Sequence, residues 1–105
     1  KNFIKSFLKH RINQRRSFYA YYLSLRNENL GKAEQMISKA VSMDPINSTF
    51  LDTYAWVLYK RGDYSMAKYY IKLAIENSKE SSGTLYEHYG DILYRSGDKE
   101  EAMKM

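Results

Sequence analysis

The chain repeats itself, and that limits its fold more than any other feature. Gly62-Asp63 and Gly97-Asp98 lie 35 residues apart, each after an aromatic-rich segment: Tyr54-Ala55-Trp56-Val57-Leu58-Tyr59-Lys60-Arg61 in one case, Tyr89-Gly90-Asp91-Ile92-Leu93-Tyr94-Arg95-Ser96 in the other. An Ala follows four residues after each Asp, at Ala67 and Ala102. Ala33 and Ala67, Ile37 and Ile71, and Ala40 and Ala74 are each 34 residues apart. A period of this size belongs to stacked supersecondary units, none of which buries its apolar face alone. The chain divides into a lead-in (1–13), repeats over 14–47 and 48–82, and a truncated third over 83–105, all one domain.

Each repeat reads as two helices. Leu51, Tyr54, Ala55 and Leu58 form one helical stripe; Ala67, Ile71, Ala74 and Ile75 form the next. Gly62 can take positive φ and stop a helix, and Asp63 can cap the one after it. Asp44-Pro45 ends the second helix, because Pro disfavours helix in the residue before it. The same logic predicts helices near 14–27, 30–43, 48–61, 64–79, 83–96 and 99–105, with Asp98 and Glu101 resembling a capping box. In the lead-in, Phe3, Ile4, Phe7 and Leu8 sit at helical spacing, which predicts the second helix of a preceding repeat. The fold class is all-α: a right-handed superhelix of stacked antiparallel hairpins.

With these residues in place, the chain resembles the tetratricopeptide repeat family over 14–105 and, by extension, 1–13. The family's small positions fall on Tyr21, Ala55 and Gly90, on Ala33, Ala67 and Ala102, and on Ala40 and Ala74. Its apolar position 24 falls on Ile37 and Ile71, and its Pro on Pro45. Tyr21 departs from the small-residue rule and implies a wider crossing of the first hairpin. Glu28 stands where the turn Gly is expected, and the linker Ser78–Gly83 is one residue longer. The resemblance implies a concave groove lined by first helices. It assigns to that groove the rings Phe18, Tyr22, Trp56, Tyr59 and Tyr94, a basic edge of Arg26, Lys60 and Arg95, and an acidic set of Asp52, Glu87 and Asp91. Aromatic and Arg side chains are favoured at binding hot spots, and Arg grips carboxylates bidentately. The implied function is a non-enzymatic protein-interaction scaffold holding a peptide with apolar and acidic residues. The family's carboxylate clamp would need Lys, Asn and Arg where this chain has Phe18, Tyr22, Thr53, Thr84 and His88, so the residues argue against binding of a chaperone tail by that clamp.

Charge tests the alternatives. The net charge of +5 is local: residues 1–26 hold seven basic residues and no acid, whereas residues 27–105 hold ten basic and twelve acidic ones. Lys9, His10, Arg11, Arg15 and Arg16 could contact phosphates, and Tyr19 and Tyr22 could stack on bases, which makes single-stranded nucleic acid the alternative partner. Asp52, Glu87 and Asp91 would repel that backbone. A basic amphipathic lead-in also suits a membrane surface, although the repeat register favours a packed helix. No apolar run approaches 18 residues, so no transmembrane segment is read.

No chemistry-bearing motif appears. There is no Cys, no Gly-rich phosphate loop, no G-x-S-x-G and no H-E-x-x-H, so no catalytic residue, metal site or cofactor is assigned. His88, between Glu87 and Asp91, reads as a groove or surface residue. A chain that starts and stops inside helical stripes reads as a piece of a longer solenoid, whose open ends are expected to pair with another copy.

Overall fold

The computed structural model describes residues 3–79 and 82–97. Five helices follow one another: α1 (Phe3–Leu25), α2 (Leu30–Met43), α3 (Ser48–Lys60), α4 (Tyr64–Asn77) and α5 (Gly83–Arg95). Helices α2 to α5 start at the residues that the periodicity predicts. The helix predicted over 99–105, with Asp98, Glu101 and Ala102, lies outside the described residues.

Local chemistry sets the boundaries. The side chains of Asn47, Asp63 and Ser82 accept from the backbone N–H groups of Phe50, Met66 and Leu85, satisfying donors that a first helical turn leaves open. Asp44 closes α2 with its N–H on the Ala40 carbonyl, next to Pro45. The α3–α4 turn uses Gly62 at φ 88°. A Cβ there would meet nothing within 4 Å, so Gly62→Ala strains the backbone alone. The expected loss is about 1–2 kcal/mol, read as a lower urea midpoint with unchanged slope. The first turn solves the same problem without Gly: Asn27 and Asn29 take positive φ (53° and 45°) on either side of Glu28. Asn tolerates this region better than other side chains do.

Two findings differ from the sequence expectations. The lead-in is not a separate helix, because α1 is continuous from Phe3 to Leu25. Between Leu8 and Ser17 there is no Gly, no Pro and no pair of residues suited to a turn, so nothing interrupts it. The first hairpin also keeps a small residue at its crossing: Ala20 is fully buried, while Tyr21 turns partly outward. Ser17 and Ser24 share that inward face, and Ser17 Oγ bonds Thr53 Oγ1 of α3 at 3.0 Å.

Two apolar clusters hold the stack. The first joins α1, α2 and α3 through Ala20, Leu23, Ala33, Ile37, Ala40, Phe50 and Val57. The second joins α3, α4 and α5 through Leu51, Ala55, Leu58, Ala67, Ile71, Leu85, Tyr89 and Ile92. Val41 and Tyr54 pack against both, and the Tyr54 ring meets Tyr70 of α4 at 4.5 Å, tilted by 40°. Helix α3 is therefore the central member. The result is an elongated plate, 50 × 31 × 18 Å. Its accessible surface of 6,983 Å² exceeds the roughly 6,000 Å² expected for a compact chain of this mass.

Candidate functional site

The first helices of the hairpins, α1, α3 and α5, approach one another on one side of the plate, and an aromatic cluster links them. Its centre is His88 of α5, which is 7% exposed. Its Nδ1 lies 2.8 Å from Asp52 Oδ1 of α3, the imidazole donating to the carboxylate. The Trp56 indole stacks on the His88 ring at 4.1 Å and on Tyr59 at 4.7 Å. Lys60 Nζ sits 5.7 Å above the indole, a cation–π distance. From α1, the Tyr21 ring reaches to 6.1 Å of His88. Burial, and after it the negative charges of Asp52 and Glu87, hold the Tyr21 hydroxyl above its ordinary pKa of 10.0.

Of the residues expected to line the groove, Asp52, Trp56, Tyr59 and Lys60 are thus brought together. Trp56 is only 9% exposed, so it supports the surface more than it forms it. Its Nε1 is buried without a hydrogen-bond partner, an arrangement that costs about 1–3 kcal/mol when left unmet. Phe18 and Tyr22 stand exposed on α1. Tyr22 belongs to a different group, stacking on Tyr19 at 6.3 Å and lying under Arg26 at 5.6 Å. Arg26 also pairs with Glu28 at 2.8 Å, and this bond holds its guanidinium pKa above the usual value. Glu87, Asp91, Tyr94 and Arg95 are exposed on α5. Beside Phe18, a cleft of about 160 Å³ opens between α1 and the start of α3, with Phe50 at its base.

A repeat-containing protein of Methanocaldococcus jannaschii, named for its TPR repeats, is 31% identical to this chain over 102 residues. The alignment takes in 97% of this chain. The chain belongs to the tetratricopeptide repeat family. No family model matches the chain. The tetratricopeptide segment described here spans 18% of that relative's length.

Within this tetratricopeptide stack, the cluster adds two residues, His88 and Tyr21, to those assigned to the groove. The sequence sets His88 between Glu87 and Asp91 of its own helix, but its partner is Asp52, 36 residues earlier. Ser17 and Thr53 bond across the same separation. Pairing polar residues at about one repeat length would have found both. Tyr21 departs from the family's small-residue rule, and it is the α1 member of the cluster. Among the described residues, no group of three or more His, Asp or Glu could hold a metal ion. No helix among them is long and apolar enough to cross a membrane.

Proposed function

We propose that this tetratricopeptide segment is a non-catalytic scaffold that binds a protein segment bearing apolar and acidic residues along the surface formed by α1, α3 and α5. One observation carries the reading. The Asp52–His88 bond and the Trp56 stack join α3 to α5 side by side, so that Lys60 lies on a braced aromatic floor. Exposed rings at Phe18, Tyr22 and Tyr94 supply contact area. Arg26, Lys60 and Arg95 supply donors for carboxylates. The acidic set Asp52, Glu87 and Asp91 disfavours a phosphate backbone on the same surface, so nucleic acid is not proposed.

Peptides selected from a random displayed library on the wild-type chain test this. They are expected to be enriched in Leu or Phe together with Asp or Glu. The double variant Lys60→Glu, Arg95→Glu is expected to bind them at least about tenfold more weakly, with unchanged circular dichroism. Trp56 is not the residue to truncate, because it is buried and its loss would perturb the fold. Equal binding of the selected peptides to the double variant would sink the assignment.

A further inference from the structure

The cleft beside Phe18 has the walls it has because α1 runs past the point where the repeat begins. The repeat pattern starts a first helix at residue 14, but α1 starts at Phe3, and His10 from the added length closes one side of the cleft. The His10 ring lies 6.2 Å from that of Phe50, tilted by 37°. Gln14 and Phe18 continue this wall on α1, and Thr49 stands on the facing wall at the start of α3. Phe18 is shared with the proposed groove, so the cleft opens onto the same surface.

The chemistry of the lining decides what enters. Its less exposed polar groups are already engaged. Ser17 Oγ donates to Thr53 Oγ1 at 3.0 Å. Asn47 Oδ1 accepts from the Phe50 N–H at 3.1 Å, and its Nδ2 donates to Asp44 Oδ2 at 3.2 Å. An occupant therefore meets chiefly the rings of Phe50 and Phe18. The volume is about 160 Å³, and a cavity of about 150 Å³ holds one benzene-sized group. One Leu or Phe side chain fills it, an indole overfills it, and a whole helix does not enter. The rim selects as well, because Gln14 and Thr49 stand exposed there. An amide and a hydroxyl can bond the open N–H and C=O groups of an extended segment, whereas a helix has its own already paired.

We propose that this cleft is an anchor subsite, which takes one Leu- or Phe-sized side chain of an extended protein segment whose carboxylate lies on Lys60. The carboxylate contact rests on the proposed function, and the apolar anchor is added to it. Thr49 and Lys60 are eleven residues apart on α3, roughly 16 Å at 1.5 Å per residue. An extended segment covers that distance in about five residues at roughly 3.3 Å each. The recognised pattern is an apolar residue with an acidic one five positions away.

Capped peptides with a Ser background serve as probes. Each carries Glu about five positions to either side of a central Ala, Leu or Trp, so that either chain direction is allowed. Fluorescence anisotropy with the whole 105-residue chain is expected to show Leu binding at least about tenfold more tightly than Ala, and Trp more weakly than Leu. Gln14→Trp plugs the cleft from α1 and Thr49→Trp from α3. Both positions are exposed, so the thermal midpoint is expected to stay at the wild-type value. Each variant is expected to abolish the Leu advantage and to leave Ala binding unchanged. The groove variant Lys60→Glu, Arg95→Glu is expected to weaken all three peptides and to keep the Leu-to-Ala ratio. A second probe, N-acetyl-leucine methylamide, has no carboxylate. It is expected to shift the Thr49 N–H resonance of the wild type and not that of Gln14→Trp. A Leu-to-Ala ratio near one overturns the proposal, as does a ratio that both plugged variants preserve; the groove reading then still stands on its charge variant. A Thr49 shift with peptides indifferent to Lys60→Glu, Arg95→Glu sinks the carboxylate contact and the groove reading, and keeps the apolar anchor.

Discussion

Phe50→Ala is expected to cost the stack a large share of its stability. Phe50 is 1% exposed and enters the cluster that joins α1, α2 and α3. It comes from α3, whereas Ala20 and Leu23 come from α1, and Ala33, Ile37 and Ala40 from α2. The ring therefore fills the space where the first hairpin meets the second. His10 of α1 also lies against it, at 6.2 Å between ring centroids. Truncating a buried Phe costs about 3–5 kcal/mol, from lost transfer energy and the cavity left behind. Small domains have only about 5–15 kcal/mol in all, so a large share of the stability goes. The manner of the loss follows from the architecture. Stacked repeats are coupled through nearest-neighbour interfaces, and Phe50 belongs to one of them. In urea, far-ultraviolet circular dichroism is expected to show α1 and α2 melting before α3 to α5, as a broadened or two-step transition. Phe50→Leu is expected to restore a single transition at an intermediate midpoint. A shift under about 1 kcal/mol with one sharp transition would mean that the interface does not depend on this ring.

The sequence made the repeat legible because its strongest signals act locally. Gly62, Asp63 and Asp44-Pro45 stop or start helices through their own backbone and side-chain chemistry, whatever packs around them. What escaped reading depends on rotation about a helix axis. A shift of one residue turns a side chain by about 100°. The order Ala20-Tyr21 in the first repeat, against Tyr54-Ala55 in the second, is such a shift. Trp56 belongs to the same class. Its spacing separates it from the core stripe of Leu51, Ala55 and Leu58, but His88 arrives from α5 and stacks on it. The continuity of α1 escaped for a different reason. A repeat boundary was expected near residue 13, and a boundary without Gly or Pro leaves the helix free to run through.

That one-residue shift predicts a reversal of the family pattern, and Ala20 and Tyr21 measure it. If the small position of the first repeat were the residue that the pattern names, Tyr21→Ala would tighten the hairpin and Ala20→Leu would be tolerated. The structure demands the opposite. Ala20 is fully buried where α1 crosses the cluster of Ala33, Ile37 and Val57. Ser17 and Ser24, both buried, flank it on the same face, so no larger neighbour can give way. A Leu there must push α1 off the stack or take a strained rotamer, and the expected cost lies at the upper end of about 1–3 kcal/mol. Because Ser17 bonds Thr53 across the same interface, displacing α1 also stretches that buried hydrogen bond. Tyr21 is half-buried and its ring lies 6.1 Å from His88, so Tyr21→Ala removes a peripheral contact and costs about 1 kcal/mol. Urea midpoints for the two single variants rank them. A larger loss for Tyr21→Ala than for Ala20→Leu would put the tight crossing at the position the family pattern names, not one residue before it.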